Sequence, residues 1–179
     1  GFAEGEGVWL EIDGMDRELF AQLHSGGHLI DIGMAAVGKR LDIRFEPVKG
    51  YHFPKGPYVE YAGNVPVEKR GDMKELLQRE MDALIEDHKG LKVEVVQMEC
   101  GQYLDTVAQI EDAQQRREQL AKMRMDGHST VRVVSVPGLE NGQCMCGGTH
   151  IDGLDRIKKI TVTKFKKKNK NFRVSYKVE

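Results

Sequence analysis

The apolar positions of this chain change period several times, and each change marks an element. Leu19, Phe20, Leu23, Ile30, Met34 and Val37 recur at the spacing of one helix face, which predicts a helix over about 16–37 with Asp16 as its cap. Before it, Val8-Trp9-Leu10-Glu11-Ile12 reads as a short strand, closed by an Asp13-Gly14 turn. Gly50, Pro54, Gly56 and Pro57 break up residues 43–63, predicting a loop that runs into a strand at Tyr58–Tyr61. Helical spacing returns over Pro66–His88 through Met73, Leu76, Leu77, Met81, Leu84 and Ile85. Strands at Val93–Met98 and Thr130–Val136 bracket a polar helix over Tyr103–Met123, with Leu104, Val107, Ile110, Leu120 and Met123 as its few anchors. Two alternating runs, 157–165 and 171–178, finish the chain, and Lys166-Lys167-Lys168-Asn169-Lys170 joins them as a basic hairpin tip. The fold class is therefore α+β, a mixed and mainly antiparallel sheet packed with helices.

Composition narrows the function classes. The chain has 179 residues, of which 40% are hydrophobic and 31% charged, the profile of a folded soluble domain and not of a disordered segment. No apolar run approaches the ~18–20 residues that span a bilayer, so no membrane partner is expected. The first seven residues lack the basic and apolar regions of a signal peptide, and the absence of an initiator Met suggests a processed or excised piece. Three cysteines, Cys100, Cys144 and Cys146, make an odd set with no framework spacing, which points to a reducing, cytoplasmic setting. The net charge of −1 says nothing about nucleic acid, but its distribution does. Nine Lys/Arg fall between Arg156 and Arg173 with no acid among them. Lys166, Lys167, Lys168 and Lys170 are the candidate phosphate contacts; a solvated edge that resists strand aggregation is the plainer alternative.

The chemistry-bearing residues form two half-sites. His24 and His28 stand one turn apart on the first helix, so both rings reach a common point. Far downstream, Cys146 and His150 flank Gly147-Gly148-Thr149. Three imidazoles and a thiolate make a complete tetrahedral set for Zn²⁺, and folding is expected to close the two halves on one ion. Four protein ligands more often mark a structural zinc than a catalytic one, and sequence leaves that choice open. Ser25 stands where the zinc-peptidase helix motif needs its glutamate base, which disfavours a peptidase. Gly26 and Gly27 inside a helix cost roughly 1 kcal/mol each relative to Ala, so a close neighbour or ligand should compensate. Cys144 reads as a supporting thiol, Cys100 as a buried one, His88 and His128 as surface residues. His52, in an aromatic Gly/Pro-rich loop, is divided between facing the site and a structural hydrogen bond.

His24-Ser25-Gly26-Gly27-His28-Leu29, then Gly50–Tyr61, then Cys144-Met145-Cys146-Gly147-Gly148-Thr149-His150 resembles the editing domain shared by alanyl- and threonyl-tRNA synthetases. It is most similar to the free-standing alanyl-tRNA editing proteins of the AlaX type. The resemblance implies an editing-domain fold over 15–179, with residues 1–14 as the remnant of an N-terminal barrel or a linker. It implies an ATP-independent hydrolase that removes serine or glycine from mischarged alanine-specific tRNA. His24, His28, Cys146 and His150 would be the zinc ligands, with His24, Cys146 and Thr149 as candidate catalytic groups. Ser25, Gly147, Gly148 and Thr149 are the candidate substrate contacts, Thr149 foremost for a seryl hydroxyl. The editing logic is physical: a synthetase pocket rejects a near-isostere only weakly, so a second site removes the error. Two alternatives stand beside it, a zinc-stabilised tRNA-binding module without catalysis and an editor of threonine-specific tRNA. Oligomeric state is not legible.

Overall fold

A computed structural model of the chain describes residues 1–107, 113–125, 127, 129–138 and 143–179. Helix α1 spans Gly14–Leu41, longer than the predicted 16–37 at both ends. Its cap is Asp13 and not Asp16: the Asp13 carboxylate accepts from Met15 N–H (2.8 Å) and Asp16 N–H (3.1 Å). It ends where Asp42 turns left-handed (φ 56°) and the chain folds back over Gly38. A Cβ at Gly38 would stand 2.4 Å from the Ile43 carbonyl oxygen, so only glycine admits this reversal.

Strands β1 (Glu46–Tyr51), β2 (Tyr58–Ala62), β6 (Ile160–Lys168) and β7 (Asn171–Val178) form an antiparallel sheet in the order β1-β2-β7-β6. Strand β1 is missing from the sequence reading, which made 43–57 a loop. It is an exposed edge with Pro47 and a bulge before Lys49, so it carries no apolar alternation. The basic tip is also narrower than expected, because Lys166, Lys167 and Lys168 belong to β6 and pair with Arg173, Phe172 and Asn171. Only Asn169 and Lys170 turn, with Asn169 at φ 55°.

The inner face of this sheet carries Val59, Tyr61, Ile160, Val162, Phe172, Val174 and Tyr176, all buried. It packs against α1 and α2 (Met73–Asp87) through Leu29, Ile30, Met34, Met73, Leu77 and Met81. The predicted start of α2 at Pro66 is corrected: a 3-10 turn, Val67–Lys69, comes first, and Gly71-Asp72 separates it from the helix. The outer face carries Tyr58, Glu60, Arg173 and Ser175, alternating with the buried residues.

A second antiparallel sheet has the order β3-β4-β5, from Glu94–Glu99, Thr130–Ser135 and Gln143–Met145. The predicted 103–123 helix becomes α3 (Cys100–Val107) and α4 (Ala113–Met125); Ile110 and His128 lie outside the described residues. Strand β4 shows period two. Val131 and Val133 pack with Cys100, Tyr103 and Leu120, while Val134 and Val136 face the main core. Residues 8–12 are not a strand. Val8, Leu10 and Ile12 are exposed, Trp9 is 100% exposed, and no described strand pairs with them. Their alternation had the right period but no partner to bury it. The fold is α+β, antiparallel sheets packed against helices, and no described helix is long and apolar enough to cross a membrane.

Candidate metal centre

Helix α1 delivers His24 and His28 on one face, and the segment leaving β5 brings Cys146 and His150 against them. The four ligand atoms lie within 4.8 Å of one another, and all four residues are half-buried. Cys146 Sγ is 3.4 Å from His24 Nε2 and 3.2 Å from His150 Nε2. Bond lengths of about 2.0–2.1 Å to nitrogen and about 2.3 Å to sulfur put tetrahedral zinc donors roughly 3.3–3.6 Å apart. The cluster is therefore already close to the spacing a bound ion requires.

The far side of each ring supports the same reading. His24 Nδ1–H donates to the Thr149 carbonyl (3.2 Å), and His150 Nδ1–H donates to Ser25 Oγ (3.0 Å). His28 Nδ1 faces Cys144 Sγ at 3.9 Å. In each ring Nδ1 is turned outward to a partner, which leaves Nε2 unprotonated and directed at the centre. His28 Nε2 is buried and has no hydrogen-bond partner among the described residues. A buried, unpaired nitrogen costs free energy, and an ion at the centre removes that cost. The residues fit a metal.

Burial holds His24 below its ordinary value, partly offset by the Thr149 bond. Burial, with the neighbouring rings, pushes His28 down to about 4 and His150 to about 3. All three are thus neutral near pH 7, the form that ligates.

Ser25, read from sequence as a substrate contact, is 0% exposed. Its Oγ also receives the Ile151 N–H (3.3 Å), so it holds His150 from behind and has no face for a ligand. Thr149 and Gly147 are exposed, and Gly148 is half-buried. A Cβ at Gly148 would lie 2.0 Å from His24 Cε1, whereas one at Gly147 would meet nothing within 4 Å. Gly148 is therefore spent on packing His24, and Gly147 borders open space. Cys144 stands beside His28 Nδ1 and outside the four-residue cluster, and Cys100 is buried. His88 is half-buried and bonds the Leu84 carbonyl at the end of α2, so it is less exposed than predicted.

The glycines of α1 find their compensation. A Cβ at Gly26 would lie 2.9 Å from a Val178 methyl, and one at Gly27 would lie 2.3 Å from His52 Cε1. The His52 ring stacks on His24 (centroids 5.1 Å, 22°). Tyr176 O–H donates to the Leu23 carbonyl (2.7 Å), so its oxygen accepts from His52 Nδ1–H (2.8 Å). Burial pushes His52 down to about 4. His52 is a wall of the site and not one of its four clustered ligands.

Arg132 escaped the sequence reading. Its guanidinium donates to the Cys146 carbonyl (2.6 Å), while its own carbonyl accepts from Cys146 N–H (3.2 Å). It fixes the ligand-bearing segment at both backbone groups. The only signal in the sequence was a charged residue between two valines of a strand, which reads as an ordinary outward position. Lys166, Lys167 and Lys168 are not among the clustered residues: they pair with Arg173, Phe172 and Asn171, which lie roughly 10–17 Å along β7 from Tyr176 at about 3.3 Å per residue.

Comparison with known proteins finds no matching family model and no similar curated protein.

Proposed function

We propose that the chain is a zinc-dependent deacylase that hydrolyses the ester of mischarged alanine-specific tRNA, releasing serine or glycine. The carrying observation is the half-buried four-ligand cluster, closed from behind by Ser25 and Ile151 and bordered by open space at Gly147. A fully enclosed cluster would favour a purely structural ion; this one is open at Gly147, where a Cβ would meet nothing within 4 Å. The resemblance of His24–Leu29, Gly50–Tyr61 and Cys144–His150 to synthetase editing domains supplies the substrate class and the editing-domain fold.

Zinc at such a site supplies a Lewis acid that lowers the cost of charge developing on an ester or its attacking water. The chain's own residues do the positioning. Ser25, the Thr149 carbonyl and Cys144 fix the three rings, and Arg132 fixes the Cys146 backbone. The Gly147 N–H is a candidate donor to a developing oxyanion. The exposed Thr149 hydroxyl is the candidate partner of a seryl hydroxyl; alanine lacks that group and would be spared. Lys166, Lys167, Lys168 and Lys170, roughly 10 Å or more along the sheet from Tyr176, are the candidate contacts for tRNA phosphates. Such an enzyme belongs in the cytosol.

The test is deacylation of seryl-, glycyl- and alanyl-tRNA for alanine, with a mischarged threonine-specific tRNA alongside. Selective loss of serine or glycine is expected, and equal rates on all three alanine-specific species would refute the specificity. Cys146→Ala should abolish metal content and activity together. The complete tetrahedral count favours one other reading, a zinc-stabilised RNA-binding module without catalysis. That reading predicts salt-sensitive tRNA binding with no ester hydrolysis at any protein concentration.

A further inference from the structure

The arm before α1 leaves apolar surface in solvent that the fold does not use. Trp9 is 100% exposed and Leu10 88% exposed. In an extended segment Val8, Leu10 and Ile12 share one face, and Trp9 and Glu11 share the other. That is the pattern of a strand with one buried face, and no described strand pairs with it. Contiguous exposed apolar residues mark a contact surface. The arm is also acidic: residues 1–16 contain Glu4, Glu6, Glu11, Asp13 and Asp16 and no Lys or Arg.

The complementary surface is the free edge of the four-stranded sheet. Strand β6 is its last strand, and β7 is its one neighbour among the described strands. Part of the open edge is already closed by α2. Gln78 accepts from Val162 N–H (2.7 Å) and donates to the Ile160 carbonyl (2.9 Å), as a neighbouring strand would. Among the described residues nothing comparable covers 164–168, a stretch as long as residues 8–12. Lys164, Lys166 and Lys168 are exposed there, and no acid falls between Arg156 and Arg173. Lysine on an edge deters most strands, but it favours an acidic one.

The two faces match as well. Lys168 and Arg173 share Glu60 on the outer face, so Lys164 and Lys166 stand on that face too, while Phe165 packs toward the core. A strand laid here with its aliphatic face inward sets Val8, Leu10 and Ile12 beside Phe165. It also sets Glu11 and the Trp9 ring among the lysines, where an ion pair and a cation–π contact form. The arm does not reach this stretch of its own chain. Arg156, four residues before β6, meets Glu18 of α1 (3.8 Å), so α1 begins toward the end of the edge that Gln78 closes. The open end starts roughly 13 Å further along, and one residue, Asp13, joins Ile12 to the helix.

We infer that residues 8–12 of one copy add as a fifth strand along residues 164–168 of a second copy, with the two arms exchanged to close a two-fold dimer. The inference is independent of the proposed function. Lys166 serves in both, so the dimer is measured without nucleic acid.

The test is sedimentation of the full chain over roughly 1–500 μM, the range suited to a small, transient interface. Trp9 is the one tryptophan, so its emission reports on the arm directly. A two-chain mass is expected at the upper concentrations, with Trp9 emission moving to shorter wavelength over the same range. Leu10→Asp lies outside the core, so it should keep wild-type melting and metal content yet stay monomeric at every concentration. Lys164→Glu combined with Lys166→Glu should weaken association by roughly 10-fold or more, and adding Glu11→Lys should recover part of that loss. A monomer throughout, or a Trp9 shift that ignores concentration, overturns the inference. A dimer that survives Leu10→Asp or the lysine reversals overturns it too, because the arms then pair elsewhere. So does a triple variant that recovers nothing.

Discussion

Ser25→Ala is the sharpest single perturbation of the centre, because it removes one oxygen and moves nothing else. Ser25 Oγ accepts two hydrogen bonds, from His150 Nδ1–H (3.0 Å) and from Ile151 N–H (3.3 Å). Its loss leaves a buried backbone donor unpaired, which costs about 1–3 kcal/mol. Alanine's better helix propensity returns roughly 0.5 kcal/mol. The net loss for the metal-free chain is then about 0.5–2.5 kcal/mol, or a melting shift of roughly 1–10 °C for a domain of this size. A second effect falls on the metal. Without its Nδ1 partner, His150 is free to change tautomer and to rotate, and loss of such a partner typically costs 10–100-fold in metal affinity. The assay is competitive zinc titration against a chelator of known affinity, with melting followed in the presence and absence of metal. The variant should melt lower without metal and show a further deficit with it. A metal affinity equal to wild type, in a variant that folds, would show that Ser25 does not orient His150.

Three further outcomes follow from the same geometry. Gly148→Ala puts a Cβ 2.0 Å from His24 Cε1 and 2.3 Å from Nδ1, so it should displace the ring and weaken metal binding at least roughly 10-fold; Gly147→Ala, with nothing within 4 Å, should leave binding unchanged in the same titration. Asp31 accepts from Tyr61 O–H, and burial pushes it up to about 7 against an ordinary value of 3.8. Because its folded value is the higher one, its contribution is intact below about pH 4 and is lost as pH rises to about 7. Asp31→Asn should therefore match wild type near pH 4 and exceed it by on the order of 4 kcal/mol above pH 7, read from urea unfolding with chelator present. The histidines titrate with the opposite sign but equally in both proteins; a difference that does not change with pH would refute the assignment. Finally, Lys166, Lys167 and Lys170 substituted by Ala should weaken tRNA binding and flatten its salt dependence by about 0.7–0.9 per lost phosphate contact, whereas Lys168→Ala should do less because Lys168 pairs with Glu60. An unchanged salt slope in the triple variant would remove the hairpin from the interface.

What could be read in advance depended on how local the determinant was. The candidate metal cluster was legible because ligand chemistry restricts residue types, and the i, i+4 spacing of His24 and His28 fixes their common face. The helix carrying them was legible by period, although its ends depended on Asp13 and Gly38, whose roles appear only once the chain turns back on itself. Strand β1 was not legible, since an exposed edge strand buries neither face and so has no alternation to detect. Residues 8–12 erred in the other direction: good alternation without a partner makes no strand. Ser25 was misplaced because a serine between two metal-binding histidines looks the same whether it faces the substrate or the helix core. The 28-residue length of α1 leaves that face undetermined until Ile151 is placed. Arg132 was invisible for the related reason that its importance lies wholly in reaching a carbonyl fourteen residues away.

The position of the centre bears on what an ion would do there besides chemistry. His24 and His28 ride on the helix that packs against the four-stranded sheet, whereas Cys146 and His150 follow β5, the edge strand of the other sheet. Among the described residues the sheets share no ladder. Strand β4 joins their cores with opposite faces, Val134 and Val136 toward one and Val131 and Val133 toward the other. An ion at the centre is a cross-link across that seam, between segments about 120 residues apart in sequence. Ordering four ligands drawn from both sides costs conformational entropy. The Ser25, Thr149 and Arg132 bonds bear that cost during folding, before any ion arrives. A preorganised site of this kind would favour metal binding and would keep Gly147 in a fixed relation to the rings. That relation is what an ester requires if it is to be held at the same point each time. Under the proposed function, structural and chemical roles for an ion would not be exclusive, because the rigidity that would make it a good cross-link would also hold the Gly147 flank in place.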